Sequence, residues 1–179
     1  EDAASFLNLG IAHHNRGQIF EAITAYREAI ALAPDDGTAQ HLLNALTGGR
    51  TSTAPSDYVE ELFDHYAEHY DTHLTEKLGY RSPQAMSELL AEDFGARRFV
   101  RGMDLGCGTG LSGQAFADQV DIIDGVDLSS QMLAAARSRG LYAELHHGDL
   151  LSALQADGPR YDLFIAADVL VYTGDLAPI

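Results

Sequence analysis

Residues 100–113, which read V-R-G-M-D-L-G-C-G-T-G-L-S-G, combine an apolar run, an acid and a glycine-dense turn. Gly106, Gly108 and Gly110 let the backbone bend sharply and approach a ligand without a Cβ in the way. Asp104 adds a fixed negative charge beside the turn, which repels a pyrophosphate and attracts the amino group of an amino-acid moiety. The pattern therefore predicts a nucleotide-type site that favours a cationic group.

Alternating strands and helices must position this turn. We predict strands over residues 99–105, 122–126, 142–146 and 161–166, with helices over residues 111–119, 129–138 and 150–155. This alternation is typical of a parallel, doubly wound sheet, whose ligands lie outside the carboxyl ends of the strands. One site should therefore collect the residues that follow each strand: Asp104, Gly106, Gly108 and Gly110; Asp127 and Leu128; Gly148, Asp149 and Leu150; Ala167 and Asp168.

This set of residues resembles motif I and the later strand ends of class I S-adenosylmethionine-dependent methyltransferases. The resemblance implies an α/β fold with a Rossmann-like parallel sheet of strand order 3-2-1-4, and S-adenosyl-L-methionine as the cofactor. It further implies that Asp127 accepts both ribose hydroxyls and that Asp149 accepts the adenine amino group. Leu128 and Met132 would then sandwich the adenine ring.

A nicotinamide dinucleotide site is the chief alternative. Residues 108–113 satisfy the pattern G-x-G-x-x-G, and Asp127 follows at roughly the 20-residue spacing expected of that site. The methyltransferase interpretation is favoured because the dinucleotide pattern should begin directly after the strand, whereas Asp104 and Gly106 intervene here. A tight glycine turn without any ligand is the remaining alternative.

The N-terminal third of the chain predicts a separate helical module. Residues 4–33 carry apolar and small residues at helical spacing, interrupted at residues 15–17, which indicates two helices joined by a tight turn. The pattern resembles one tetratricopeptide repeat, with His13 where an aromatic residue is usual, and a third helix is expected over residues 38–46. Because about three repeats are needed for independent stability, we expect this module to pack on something else.

Turn-forming and small polar residues between the helical module and the sheet predict a linker and a domain boundary. Asp57 and Glu60 resemble a capping box that opens a helix through about Tyr70, and Ser82-Pro83 opens another that stops at Gly95. The predicted organisation is a tetratricopeptide-like module at 1–47, a linker at 48–56, cap helices at 57–98 and an S-adenosylmethionine-binding domain at 99–179.

Residues 62–83, here called the cap segment, read L-F-D-H-Y-A-E-H-Y-D-T-H-L-T-E-K-L-G-Y-R-S-P. They resemble the segment of tetratricopeptide-repeat methyltransferases in which F-D-x-Y-A-x-x-Y-D-x-H-L precedes the core fold and caps the cofactor. By that resemblance Tyr70 closes over the methionine end and Arg81 pairs with its carboxylate. No catalytic residue is assigned. The predicted cofactor site comprises Tyr70, Arg81, Asp104, Gly106, Cys107, Gly108, Gly110, Leu111, Asp127, Leu128, Met132, Gly148, Asp149, Leu150 and Ala167.

The cap segment also contains His65-x-x-Glu68-His69, which matches the inverted zinc-peptidase motif when it lies on a helix. We favour a solvated helix face and predict no metal site, because no third-ligand context accompanies the pair.

Three further side chains receive structural interpretations. Cys107 occupies a turn where a small side chain is needed, and no histidine is obviously placed to activate it as a nucleophile. Arg137 and Arg139 fall in the last turn of their predicted helix, where the helix dipole explains them.

The composition narrows the classes of partner. With 27 acidic and 11 basic residues the net charge is −16, which opposes the approach of nucleic acid or anionic lipid. The expected acceptor is therefore a small molecule, with a protein side chain second because of the repeat. The single cysteine excludes an internal disulfide, and no apolar run approaches the ~20 residues that span a bilayer. A cytoplasmic protein without a membrane partner is the default expectation.

The sequence given stops at Ile179, soon after the predicted fourth strand, where class I methyltransferases continue with more strands. We therefore expect the second half of the fold to be missing, with catalysis by this chain in doubt. A non-catalytic S-adenosylmethionine-binding or interaction module is the alternative. Strand four would lie at a sheet edge with unpaired backbone groups, so we expect a homo-oligomer, a partner that covers this edge, or further residues that complete the sheet.

Overall fold

The computed structural model describes residues 2–49 and 54–172. The chain divides into two compact units, residues 1–58 and 59–179. Residues 50–53, which belong to the predicted linker, and residues 173–179 lie outside the described part.

The first unit is helical, as predicted. It contains α1 (Ala3–Asn15), α2 (Ile19–Leu32) and α3 (Gly37–Thr47). Gly10 of α1 faces Tyr26 of α2, and a Cβ at Gly10 would lie 2.4 Å from Tyr26 Cε1. Only glycine therefore allows the two helices to approach this closely. Tyr26 is fully buried in the core of this unit, together with Ala22 and Leu42.

The helical run that opens at Ser56 continues further than predicted. It comprises α4 (Ser56–Tyr66), a 3-10 turn (Ala67–His69), the single turn α5 (Tyr70–Thr72) and a π-helical turn (His73–Lys77). The prediction ended the helix near Tyr70, whereas the sequence has no glycine or proline stop signal before Gly79. The next helix, α6 (Ser82–Phe94), carries Pro83 in its first turn and ends at Gly95, as predicted.

In the part of the chain that the structure describes, four strands form one parallel sheet of order β3-β2-β1-β4, which confirms the predicted order. They are β1 (Phe99–Leu105), β2 (Val120–Asp127), β3 (Glu144–His147) and β4 (Leu163–Ile165). The last strand is shorter than predicted, and Asp162 before it contacts β1 through its amide, which donates to the Arg101 carbonyl at 3.0 Å, and through its side chain. Its carboxylate accepts the amides of Val100 and Arg101 at 3.0 and 2.9 Å, so ladder pairing with β1 starts at Gly102 and Leu163.

Short helices follow the strands: α7 (Leu111–Phe116), α8 (Ser130–Arg139) and α9 (Leu150–Gln155). Ser129 caps α8 by accepting the Met132 amide at 3.0 Å, and Asp149 caps α9 by accepting the Ser152 amide at 3.0 Å. Such side-chain caps stabilise a helix start by about 1 kcal/mol each. They fix where each helix begins, so the loops between strand and helix gather at the carboxyl edge of the sheet.

Two apolar clusters form the core of the second unit around β1, β2 and β4. One includes Phe99, Phe116 and Ile165, and the other includes Met103 and Val126. Within residues 2–49 and 54–172, no helix has both the length and the apolar character needed to cross a bilayer.

Candidate functional site

Asp127, at the end of β2, joins two loops at the carboxyl edge of the sheet. Its Oδ2 accepts the Gly108 amide at 2.8 Å, and its Oδ1 accepts the Ser129 amide at 2.8 Å. Burial raises the pKa of Asp127, although these two amides act in the opposite direction. The carboxylate therefore holds the glycine turn after β1 against the loop that starts α8.

The other two glycine amides of residues 108–113 also have protein partners. The Gly110 amide donates to the Cys107 carbonyl at 2.9 Å, and the Gly113 amide donates to Tyr142 Oη at 3.1 Å. In a dinucleotide fold the backbone amides of this pattern bind the pyrophosphate. Here all three glycine amides are already engaged within the protein, which argues against a dinucleotide.

Gly106 brings the loops after β1 and β4 into contact. Its φ is +65°, and a Cβ at this position would lie 2.3 Å from Val169 Cγ2. Both the left-handed backbone and the close approach require glycine. The residues that follow β4 are thereby held beside the glycine turn, as expected for strand ends that share one site.

Asp104 lies inside the fold beneath the turn, with 0% of its surface exposed. Tyr142 Oη donates to its Oδ2 at 2.7 Å, and within the described part of the chain its Oδ1 has no hydrogen-bond partner. Burial raises the pKa of Asp104 to about 7, and the neighbouring Asp127 acts in the same direction. A cationic ligand would stabilise these carboxylates, whereas a phosphate would not. The site thus fits the expected cationic cofactor, while direct ligation by Asp104 stays a prediction.

Cys107 packs into the sheet. A Cβ on Gly125 of β2 would lie 2.9 Å from Cys107 Sγ, so the thiol fills the space above that glycine. Burial raises the pKa of Cys107, and Asp104 and Asp127 raise it further. A neutral, buried thiol is a poor nucleophile, which agrees with the interpretation from the sequence.

We expect Cys107 to resist alkylation in the folded protein. Iodoacetamide at pH 8 should modify it at least about 100-fold more slowly than in 6 M guanidinium chloride, because the reactive thiolate is both rare and shielded. Intact-mass spectrometry over time measures both rates. Equal rates under the two conditions would contradict the buried position.

The remaining residues of the predicted cofactor site differ in how deeply they are buried. Met132 is 1% exposed, whereas Leu128 is half-buried. The amide of Gly148 donates to the Asp127 carbonyl at 3.0 Å. The bonds from Ser152 hold the pKa of Asp149 below its usual value. Three further predicted site residues are half-buried: Leu111, Leu150 and Ala167.

Tyr70 packs within an aromatic group of the cap segment. Its ring contacts Phe63 and Tyr66 edge-to-face, with centroids 6.1 and 5.2 Å apart. Burial raises the pKa of Tyr70 to about 12, and the charges of Asp127 and Asp168 contribute to the rise. Tyr70 is thus close enough for the strand-end carboxylates to influence its hydroxyl, and its closure over a cofactor stays a prediction.

Arg81 does not join this group. Its guanidinium lies 3.6 Å from the Glu88 carboxylate, and its side chain is 74% exposed. Pairing of Arg81 with a cofactor carboxylate stays a prediction.

The zinc-type motif does not lie on a continuous α-helix. His65 belongs to α4, but Glu68 and His69 lie in the 3-10 turn that follows. The His65 Nδ1 lies 2.8 Å from the Glu61 carbonyl oxygen. Among the described residues, no group of three or more His, Cys, Asp or Glu side chains is arranged to hold a metal ion.

Five polar residues outside the predicted cofactor site tie the cap segment to it. Arg139 Nε donates to the Thr109 carbonyl at 2.6 Å, and its Nη2 pairs with Asp71. The helix dipole therefore explains Arg139 only in part. The sequence signal that could have revealed these contacts is the aspartate in each of the F-D and Y-D pairs of the cap segment, Asp64 and Asp71. The five residues are Asp64, Asp71, Thr109, Ser129 and Arg139.

Residues 103–177 match a family model described as a methyltransferase domain. This part of the chain is therefore similar to a methyltransferase domain. Residues 3–36 match the tetratricopeptide repeat model, so the resemblance to S-adenosylmethionine-dependent methyltransferases that carry such a repeat is confirmed.

Two curated relatives of the methyltransferase domain act on different acceptor atoms, according to their names. The dTDP-3-amino-3,6-dideoxy-alpha-D-glucopyranose N,N-dimethyltransferase of Streptomyces fradiae is 46% identical over 48 residues, which cover 27% of this chain and 19% of that enzyme. The malonyl-(acyl-carrier protein) O-methyltransferase of Enterobacter lignolyticus is 39% identical over 105 residues, which cover 59% and 39%. The chain thus spans less than half the length of either relative.

Solved structures share the fold of the methyltransferase domain. The complex of DhpI with SAH is 21% identical, with a TM-score of 0.50 over 62% of this chain and 52% of that one. The DhpI-SAM-HEP complex is 22% identical, with a TM-score of 0.50 over 65% and 51%. These likenesses support the Rossmann-like architecture.

Proposed function

We propose that this chain binds S-adenosyl-L-methionine at the carboxyl ends of β1, β2 and β3. In this proposal it is the cofactor-binding part of an enzyme that methylates a small molecule or a protein side chain. The observation that carries the proposal is the engagement of all three glycine amides of residues 108–113 by protein acceptors. A turn whose glycine amides are already paired is poorly suited to a pyrophosphate, and the methyltransferase family match covers the same residues.

The residues at the strand ends suit the parts of this cofactor. In this proposal Asp127 binds the ribose hydroxyls, and Asp149 binds the adenine amino group. Leu128 supplies apolar surface for the adenine ring, and Tyr70 closes the site from the cap segment. Met132 is 1% exposed, so it lines the ring only if the neighbouring side chains shift. When bound, the cofactor supplies a methyl group on a sulfonium that is already activated for in-line displacement. The protein then mainly orients the acceptor and, where needed, removes a proton.

The charge of the chain supports a neutral or cationic acceptor. The net charge of −16 disfavours nucleic acid and anionic lipid surfaces. The two named relatives methylate nitrogen and oxygen, respectively, so the acceptor atom is left open. A repeat-bound protein partner or a second copy at the β4 edge also stays a proposal, as does a cytoplasmic location, which the single buried cysteine supports.

Calorimetric titration of the 179-residue chain with S-adenosylmethionine, S-adenosylhomocysteine and NAD tests the proposal. We expect both sulfur ligands to bind at least about tenfold more tightly than NAD, because tenfold corresponds to only about 1.4 kcal/mol and the carboxylates repel a pyrophosphate. Preferential binding of NAD would refute the proposal. So would the absence of heat with either sulfur ligand at concentrations up to about 1 mM.

A further inference from the structure

Two aspartates of the cap segment contact the two loops that form the cofactor site. Asp64 lies in α4, and Asp71 lies in α5, seven residues later. Asp64 contacts the loop between β2 and α8, and Asp71 contacts the glycine turn between β1 and α7. The cap segment therefore contacts both of the loops that the Asp127 carboxylate connects.

The first contact is made by Asp64. Its Oδ1 accepts from Ser129 Oγ at 2.5 Å and from the Gln131 amide at 3.1 Å. Ser129 is 0% exposed, and its own amide donates to Asp127. The Ser129 hydroxyl holds the pKa of Asp64 below its usual value, which agrees with a charged acceptor at this point.

The second contact is made by Asp71. Its Oδ1 accepts from Thr109 Oγ1, and its Oδ2 pairs with Arg139 Nη2. Thr109 lies between Gly108 and Gly110 and is 2% exposed. Arg139 also donates to the Thr109 carbonyl at 2.6 Å, so residue Thr109 is held from its side chain and its backbone.

We infer that Asp64 and Asp71 are positioning residues that dock the cap segment onto both cofactor loops, so that docking and cofactor binding stabilise each other. Each aspartate binds a buried hydroxyl next to a residue predicted to touch the cofactor. Docking therefore orders the loops, and an occupied site favours the docked segment by the same factor. This inference rests on the proposed function for its ligand, but the docking itself is a property of the protein alone.

Hydrogen exchange by mass spectrometry on the full chain tests the docking without ligand. Asp71→Asn removes the charge that pairs with Arg139, and we expect the amides of residues 66–78 to exchange about tenfold faster, while the amides of β1 and β2 keep their protection. Glu68→Gln, the same change at an exposed site of the cap segment, is the matched control and should exchange like the wild type. Asp71→Glu should restore part of the protection.

The coupling is tested with S-adenosylhomocysteine as the probe. We expect Asp71→Asn and Asp64→Asn each to weaken binding about tenfold. The loss of affinity in the double variant should be smaller than the product of the two single losses, because both changes act on one docking equilibrium. Saturating probe should slow exchange of residues 66–78 in the wild type.

The outcomes separate the two proposals. Unchanged ligand-free exchange in both Asp→Asn variants would overturn the docking, whatever the ligand does. Faster exchange in the variants, together with no binding of the probe to the wild type, would leave docking intact but refute the proposed function and with it the coupling. Faster exchange with unchanged probe affinity would also overturn the coupling.

Discussion

Replacement of Asp127 by alanine should weaken the binding of S-adenosylhomocysteine by about 100-fold or more. Hydrogen bonds to a charged group contribute about 1.5–3 kcal/mol each, and the proposed site uses this carboxylate for two ribose hydroxyls. The same carboxylate also accepts the amides of Gly108 and Ser129 at 2.8 Å. The variant therefore loses ligand contacts and releases the two loops that shape the site.

Calorimetry with matched variants measures this effect. Asp127→Asn keeps one acceptor oxygen but presents an N–H group to one of the two amides, so we expect an intermediate or equal loss. Asp157→Ala, which removes an exposed carboxylate from the loop before β4, should bind like the wild type. Circular dichroism at the titration temperature establishes that each variant is folded. Wild-type affinity in a folded Asp127→Ala protein would remove Asp127 from the site.

Replacement of Asp104 by asparagine should change how stability depends on pH. Burial raises the pKa of Asp104 to about 7 in the folded protein, against about 3.9 in an unfolded chain. A raised folded-state pKa contributes stability that is complete below the unfolded value and is lost as pH rises through the folded value. Because an asparagine does not titrate, the variant lacks this loss.

The difference in the free energy of unfolding between the wild type and Asp104→Asn isolates the titration of Asp104, because the other groups titrate in both proteins. Between pH 5.5 and pH 8.5 the free energy of unfolding of the wild type should fall relative to Asp104→Asn by about 2 kcal/mol, which follows from the two pKa values. Urea unfolding at several pH values provides the measurement, and Asp157→Asn is the control that should track the wild type. A constant difference across this range would show that Asp104 does not titrate there.

Tyr142→Phe provides an independent check on the same carboxylate. The change removes the hydroxyl that donates to Asp104 Oδ2 and accepts the Gly113 amide. Its loss raises the pKa of Asp104 further, so this variant should lose more stability above pH 7 than below pH 6.

The strand ends of the site were predictable because a parallel sheet brings the carboxyl ends of its strands to one edge, whatever the rest of the chain does. Asp104 and Asp127 lie at the carboxyl ends of β1 and β2, and Asp149 follows β3 after one glycine, so errors of one or two residues in the strand bounds did not displace them. The side-chain partners were not predictable in this way. Tyr142 was assigned to β3, whereas the structure places it before Glu144 with its hydroxyl on Asp104.

Arg139 shows why such contacts escape interpretation of the sequence. Arg137 and Arg139 lie in the same last turn of α8, and the helix dipole treats them alike. Two residues along an α-helix are separated by about 200° around its axis, so at most one of them faces a given neighbour. The choice of Arg139 depends on where Asp71 of the cap segment lies, 68 residues earlier in the chain. Only the tertiary packing supplies that information.

The engaged glycine amides also have a thermodynamic consequence. A turn whose N–H groups are paired within the protein has lost its conformational freedom during folding, so a ligand that arrives later meets a surface of fixed shape. Binding then requires little further ordering of the turn, and the main ordering cost falls on the cap segment. A substitution that loosens the cap segment, even one far from the ligand, should therefore speed dissociation of the ligand while the glycine turn keeps its shape.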